Sequence, residues 1–372
     1  MAANRLLVIT VLALAIGAPI AGFVGDTKVP QSTLPTGERV AFFHGLSGGA
    51  VDGSSELAAL ARADGWLNSP PLTASSLQGK VVLVHFWTYT CINWLRTQAY
   101  LRAWAEKYKD KGLIVIGVHT PEFRFEKNIE NVRREAKALR VDYPVAVDSN
   151  YVIWRAFDNN YWPAQYFIDA KGRIRHTHFG EGAYDQSEMV IQRLLIEAGA
   201  SGIGDNLVTV EPRGFEVAAD WASLKSPENY IGYERTTGFA SPDGVTRDKS
   251  HIYEVPSKLR LNNWALLGDW TIKGDAAAPN KANGRIAYRF HARDLNLVMG
   301  PPRSGASVKF RVTIDGQPPG TAHGLDVDEQ GMGAVNEPRL YQLVRQRSSI
   351  ADRVFEIEFL DPGVEVFCFT FG

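Results

Sequence analysis

The chain has 372 residues, 45% of them hydrophobic, and a formal net charge of -1. That length suits two globular units with sizeable cores, and the charge balance offers nothing to draw in nucleic acid or another polyanion. Its two cysteines, Cys91 and Cys368, exclude a disulfide framework and a cysteine zinc cluster, and no cofactor is expected.

Residues 6–25 carry no charge and lie between Arg5 and Asp26. The stretch is about long enough to span a bilayer, although Gly17, Pro19 and Gly22 weaken it as a helix. An uncleaved membrane anchor is expected, with Arg5 on the cytoplasmic side. A cleaved signal peptide over residues 1–25 is the alternative, with small residues around Ala18 and Ala21. Either way the bulk of the chain is expected to be extracytoplasmic, on the periplasmic side, tethered or secreted. Residues 26–65, rich in Gly, Ser and Thr, read as a tether and entry segment with a short helix candidate at 55–63.

Residues 66–200 alternate between two periodicities. The apolar runs 81–87 and 113–118 are strands of the kind buried on both faces. Between them a helix carries Trp94, Leu101, Trp104, Ala105 and Tyr108 on one side. A second helix is expected over 125–139, a brief strand at 145–147 and a short helix at 151–157. A hairpin over 166–168 and 173–179 follows, and a last helix over 185–198. Strands alternating with helices, then a hairpin and helix, predict an α/β unit around a mixed sheet. Residues 199–214 have linker composition. From 215 to 372, short alternating segments separated by Gly, Pro and Asp predict an all-β sandwich, jelly-roll-like.

Chemistry concentrates at Cys91, placed where a strand gives way to a helix. Unpaired amides and the helix dipole there stabilise a thiolate. Thr88, Tyr89 and Thr90 look too polar for a core, so a reactive thiol is expected over a small buried hydrophobe.

Phe86-Trp87 ahead of Cys91, the strand leading to them, and Trp162-Pro163 before a later strand resemble the thioredoxin fold of TlpA/ResA-like redoxins. The runs WTYTCINWLR, GVHTPEF, YWPAQYFID and HFGEGAYD, then ENYIGYER and the closing VFCFTFG, are similar to DipZ-type proteins. The similarity is to their extracytoplasmic thioredoxin and β-domain region, from about residue 66 onward. This resemblance implies an oxidoreductase of cell redox homeostasis with Cys91 as its attacking thiol. It also implies that Pro163 is a cis-proline which, with Trp162, offers backbone to an extended substrate. Glu122 matches an acidic residue kept near the thiol in TlpA-like proteins, although a solvated glutamate at a helix start is an equal reading.

Two departures narrow that picture. Trp94 stands where a dithiol motif has its second cysteine, giving CxxW in place of CxxC. His85 stands where thioredoxins bury an aspartate that assists proton transfer at that second cysteine. Losing both partners of one step points to a dithiol cycle given up. His85 is otherwise a core histidine with a satisfied ring, and Trp94 packs on the buried stripe of its helix.

Other candidates are weaker. His176 and His178 share one face of a strand but lack a third ligand, so no metal is expected. Cys368, among Phe367, Phe369 and Phe371, reads as an inert core thiol with nothing placing it near Cys91. Trp264, Trp270 and Tyr288 form either a sugar-stacking platform or core.

Three functions compete. The first is a single-cysteine thiol oxidoreductase forming a mixed disulfide with a protein or small thiol. The second is a redox-silent module binding a protein or glycan. The third is a one-cysteine peroxidase, because Thr88 and Cys91 are similar to the TxxC of peroxiredoxins, although Val84 replaces their proline.

Overall fold

A computed structural model describes residues 51–347 and 349–372. The uncharged stretch 6–25 and the tether up to residue 50 lie outside the described residues. Among the described residues no helix is long and apolar enough to cross a membrane.

In the first lobe, chain order runs β1 (Val51–Asp52), α1 (Ser54–Ala59), β2 (Gly65–Leu67), β3 (Val81–Trp87), α2 (Ile92–Tyr108) and β4 (Leu113–His119). It continues with α3 (Ile129–Ala138), β5 (Val145–Val147), α4 (Val152–Ala156), β6 (Ala164–Ile168), β7 (Arg173–Phe179) and α5 (Tyr184–Glu197). The seven strands form one mixed sheet in the order β1-β7-β6-β3-β4-β5-β2. The near-continuous apolar runs of β3 and β4 sit at its centre in parallel register, His85 opposite Gly117. Every residue of β3 is buried because helices cover both faces. Val81, Leu83 and Trp87 face α2 and α5, while Val82, Val84 and Phe86 face α1 and α4. The end of the expected tether and entry segment, 51–65, together with the two residues after it, supplies both edges: β1 pairs with β7 and β2 with β5. The helix expected over 125–139 begins as a short tight turn at 124–127 and restarts at α3, where the Asn128 side chain accepts the Glu130 amide.

One buried carboxylate ties α2, α5 and the linker together. Glu188 accepts hydrogen bonds from Trp104 Nε1 at 3.1 Å, Lys107 Nζ at 2.7 Å, the Tyr108 hydroxyl at 2.7 Å and the Val208 amide at 2.8 Å. Burial pushes its carboxyl upward, but these donors outweigh burial and hold it below its ordinary value. A depressed folded-state value stabilises above the unfolded titration and is lost as pH falls through the folded one. Glu188→Gln is therefore expected to cost about 1.5–3 kcal/mol at pH 7. The deficit should shrink below about pH 4, as read from urea midpoints; a deficit independent of pH would contradict this role.

The second lobe contains β8 (Asn229–Tyr230), β9 (Ser250–Tyr253), β10 (Trp264–Ile272), β11 (Ala277–Pro279), β12 (Gly284–Phe290) and β13 (Asp294–Gly300). Then come β14 (Val308–Ile314), β15 (Met332–Val335), β16 (Arg339–Arg345), β17 (Arg353–Phe359) and β18 (Glu365–Phe371). All their ladders are antiparallel. β10 serves both layers of the sandwich: its first half pairs with β12, its second with β9 and β11. The change of partner falls at Gly268, whose φ of +95° suits glycine. Trp264, Trp270 and Tyr288 are fully buried in this core. A sugar needs an exposed ring face, so they are not a stacking platform.

The lobes share a core. Ala276, Val298, Leu340, Phe367 and Cys368 pack with residues of β3, α2 and α5 in one cluster. Cys368 thus belongs to the junction, contrary to the expectation that nothing brings it toward Cys91. The reason is a β-bulge. Val298 pairs with Cys368 and Met299 with Val366, so Phe367 has no partner on β13 and the strand's alternation slips by one.

Candidate active site

Cys91 is the N-cap of α2, with extended backbone angles (φ -73°, ψ 109°) that end the loop and admit the helix. Its carbonyl accepts the Leu95 amide at 3.0 Å, the first bond of α2. The residue is half-buried, and its Sγ lies 3.7 Å from the Trp162 carbonyl oxygen. Trp162-Pro163 is a cis peptide, as the resemblance implied. Trp162 is held by its indole N–H donating to the Thr120 carbonyl at 3.1 Å and by packing against Trp154. Cys91, Trp162 and Pro163 therefore meet at one spot.

The loop before Cys91 is buried rather than polar and open. Thr88, Tyr89 and Thr90 are each at most 2% exposed. A residue not singled out from sequence explains how Thr90 can be: Glu126, itself fully buried, accepts from the Thr90 hydroxyl at 2.6 Å. Its other oxygen accepts the Glu122 and Phe123 amides at 2.6 and 2.8 Å. Burial pushes this carboxyl up to about 7 against those donors.

The thiol itself departs from expectation. Burial pushes Cys91 well above the ordinary thiol value, and the Trp94 and Asn93 amides only partly offset it. Glu228 and Glu122 push in the same direction as burial. Amides at the helix N-terminus act as anticipated, but they are outweighed.

Trp94 is fully buried and stacks on Trp87 with ring centroids 4.2 Å apart, so packing accounts for it. His85 is also fully buried, but its ring is not satisfied: neither nitrogen has a hydrogen-bond partner among the described residues. Burial lowers it to about 3, so it is neutral and puts no charge near Cys91. His176 and His178 lie on β7, and among the described residues no group of three or more potential ligands is arranged to hold a metal.

Glu122 is not a free surface glutamate. Its Oε1 accepts from the Tyr230 hydroxyl at 2.6 Å and from Arg235 Nη2 at 2.9 Å. The Arg235 guanidinium also lies 3.4 Å from the Tyr230 ring centroid. The Tyr230 hydroxyl also reaches Glu228 Oε2 at 3.1 Å, and the Cys368 thiol donates to the Phe369 carbonyl at 3.4 Å. The β-domain thus delivers Glu228, Tyr230 and Arg235, all within the ENYIGYER run, to the neighbourhood of Cys91. Their signal in the sequence is that dense alternation of acid, tyrosine and arginine at the start of the domain. A separate cavity of about 380 Å³, farther along α2 from Ala99 to Arg102, holds no thiol, and its Arg102 is paired to Glu216 at 2.5 Å.

Two family profiles match the chain: the AhpC/TSA family over residues 64–177 and a thioredoxin-like C-terminal domain over 226–372. The DipZ proteins of Mycobacterium bovis and Mycobacterium tuberculosis are each 35% identical over 311 residues, 83% of this chain. The chain spans only 41% of their length. The thiol-disulfide oxidoreductase YkuV of Bacillus subtilis is 29% identical over 36% of this chain and 88% of its own. A solution structure of a thioredoxin-like protein in the oxidized form is 30% identical, covering 36% of this chain and 90% of its own, with a TM-score of 0.34.

Proposed function

As the chain matches the AhpC/TSA family and a thioredoxin-like C-terminal domain and is similar to DipZ through both of its lobes, we propose that it is a thiol oxidoreductase acting through Cys91 alone. The observation that carries this reading is the meeting of a half-buried Cys91, at the start of α2, with the carbonyl of Trp162 beside Pro163. An extended disulfide substrate lying along that backbone presents a sulfur to Cys91. The thiolate attacks it, the new Cys91–substrate bond forms as the substrate S–S bond breaks, and the departing thiolate takes a proton. Trp94 offers no second thiol, so an outside thiol, from a protein or small molecule, resolves the mixed disulfide. The site faces the extracytoplasmic compartment in this proposal, with residues 6–25 as its tether.

The test is thiol exchange with an aromatic disulfide probe, 5,5'-dithiobis(2-nitrobenzoate), on the Cys368→Ala chain. One equivalent of chromophore should be released, with a matching mass gain on the Cys91 peptide that dithiothreitol reverses. Cys91→Ser in the same background should release none. No adduct on Cys91 between pH 6 and 9 rejects the proposal. It would favour the second reading, a redox-silent groove for a protein partner, which the upward push of burial on the Cys91 thiol supports.

A further inference from the structure

Leu95, Gln98, Ala99 and Arg102 recur at helical spacing on one face of α2, and the linker turn 214–216 comes back against that face. The walls of the groove between them are tied by hydrogen bonds. Arg102 donates to the Leu139 carbonyl just past α3 at 3.3 Å and to Glu216 at 2.5 Å. Arg345 of the second lobe donates to the Gly214 carbonyl at 3.1 Å and so fixes the turn. The groove holds two chambers, of about 380 and about 170 Å³, which share Arg140, Arg213 and Glu216.

The smaller chamber is walled by Leu95, Leu139 and Phe215 and holds one buried polar side chain, Gln98, 1% exposed. The Gln98 Oε1 accepts from the Tyr143 hydroxyl at 2.8 Å, which turns the amide NH2 away from Tyr143. That NH2 has no hydrogen-bond partner among the described residues. A buried donor left unpaired is costly, and an acceptor brought into this chamber by a ligand would remove the cost.

The larger chamber opens among charges. Arg102 is matched by Glu216, and Arg213 lies 3.2 Å from Glu211. The exposed Arg140 side chain has no carboxylate or other acceptor of its own among the described residues. Three guanidiniums face two carboxylates, so the mouth carries one net positive charge. That balance suits a monoanion, and the two carboxylates repel a dianion.

We propose that this groove binds a small monocarboxylate whose apolar body carries a second hydrogen-bond acceptor. The carboxylate pairs with Arg140 at the mouth, the body packs on Leu139 and Phe215, and the acceptor takes the Gln98 N–H. The site is separate from the thiol chemistry and does not depend on it.

The test is isothermal titration calorimetry of the full chain with 4-acetylbenzoate, which has the acid, the ring and a ketone acceptor. Its methyl ester lacks the charge, and 4-ethylbenzoate lacks the acceptor. The acetyl acid should bind with a Kd below about 1 mM, reasonable for a ligand of that size. The ester should bind about ten-fold more weakly and the ethyl acid about five-fold more weakly, as expected for losing a charged and a neutral hydrogen bond. Arg140→Met should erase the preference for acid over ester and keep that for acetyl over ethyl. Gln98→Leu should do the reverse. Absence of binding to the wild-type chain, or preferences that survive both substitutions, overturns the proposal. Gln98→Leu also strips Tyr143 of its acceptor; if that chain does not fold, the wild-type comparison decides, and equal affinities for the acetyl and ethyl acids overturn the role of Gln98 and with it the proposal.

Discussion

Arg96→Ala should lower stability by about 3–5 kcal/mol, the range for removing one partner of a buried ion pair. Arg96 lies on α2, is 2% exposed, and holds Glu181 at 2.9 Å. Its other terminal nitrogen donates to the Phe371 carbonyl on β18 at 3.3 Å, so the same side chain stitches the two lobes. Truncation leaves the Glu181 carboxylate buried without a counter-charge. Burial already raises Glu181 and Arg96 is what opposes it. A raised folded-state value stabilises below the unfolded titration and is lost as pH climbs through the folded one. The cost of Arg96→Ala should therefore be larger at pH 8 than at pH 5, where Glu181 regains a proton. Arg96→Ala with Glu181→Ala should be less destabilised than Arg96→Ala alone. Urea midpoints at the two pH values read both effects; equal losses at pH 5 and pH 8 would show that the charge of Glu181 is not the cause.

Much of the architecture was legible because it rests on local hydrophobic pattern. The runs 81–87 and 113–119 are buried on both faces and could hardly be anything but central strands. The change from helical to alternating texture after residue 214 marked the second lobe for the same reason. What stayed hidden depends on residues far apart in the chain. Thr88 to Thr90 looked exposed because polarity was judged locally, whereas for Thr90 the buried acceptor is Glu126, 36 positions away. Cys368 is the buried core thiol expected, on the face opposite Phe369 and Phe371, but a bulge at Phe367 brings that ring onto the same side as Cys368, and the core they share is the junction between the lobes. Most consequential is Glu122. Its sequence neighbourhood suggested either a surface glutamate or a thiol partner, and its actual partners, Tyr230 and Arg235, lie 108 and 113 positions away. A helix N-terminus favours thiolate in isolation, but burial outweighs it, and Glu228 and Glu122 push the same way.

Trp94→Cys should not turn this protein into a dithiol reductase, although it restores the CxxC spacing. The substitution first carries a packing cost of about 3–5 kcal/mol, by comparison with truncation of a buried Trp to Ala. Trp94 is fully buried against Trp87 and a thiol leaves most of its volume empty. The chemistry fails for a separate reason. A second thiol resolves a mixed disulfide only after it loses a proton, and the neighbouring position on β3 holds His85, neutral and lowered to about 3 by burial. Such an imidazole is a poor acceptor for a thiol proton, and the loss of a positioned base is worth about 10²–10⁴ in rate. Two readouts separate the effects. Thermal unfolding of Trp94→Cys should show the packing loss, while disulfide reduction at a temperature where the chain remains folded should stay near background. Adding His85→Asp places a carboxylate at the position and should raise the rate without restoring the lost packing. Vigorous reductase turnover by Trp94→Cys with His85 intact would mean that the second thiol alone was missing, and that His85 has no part in confining this site to one cysteine.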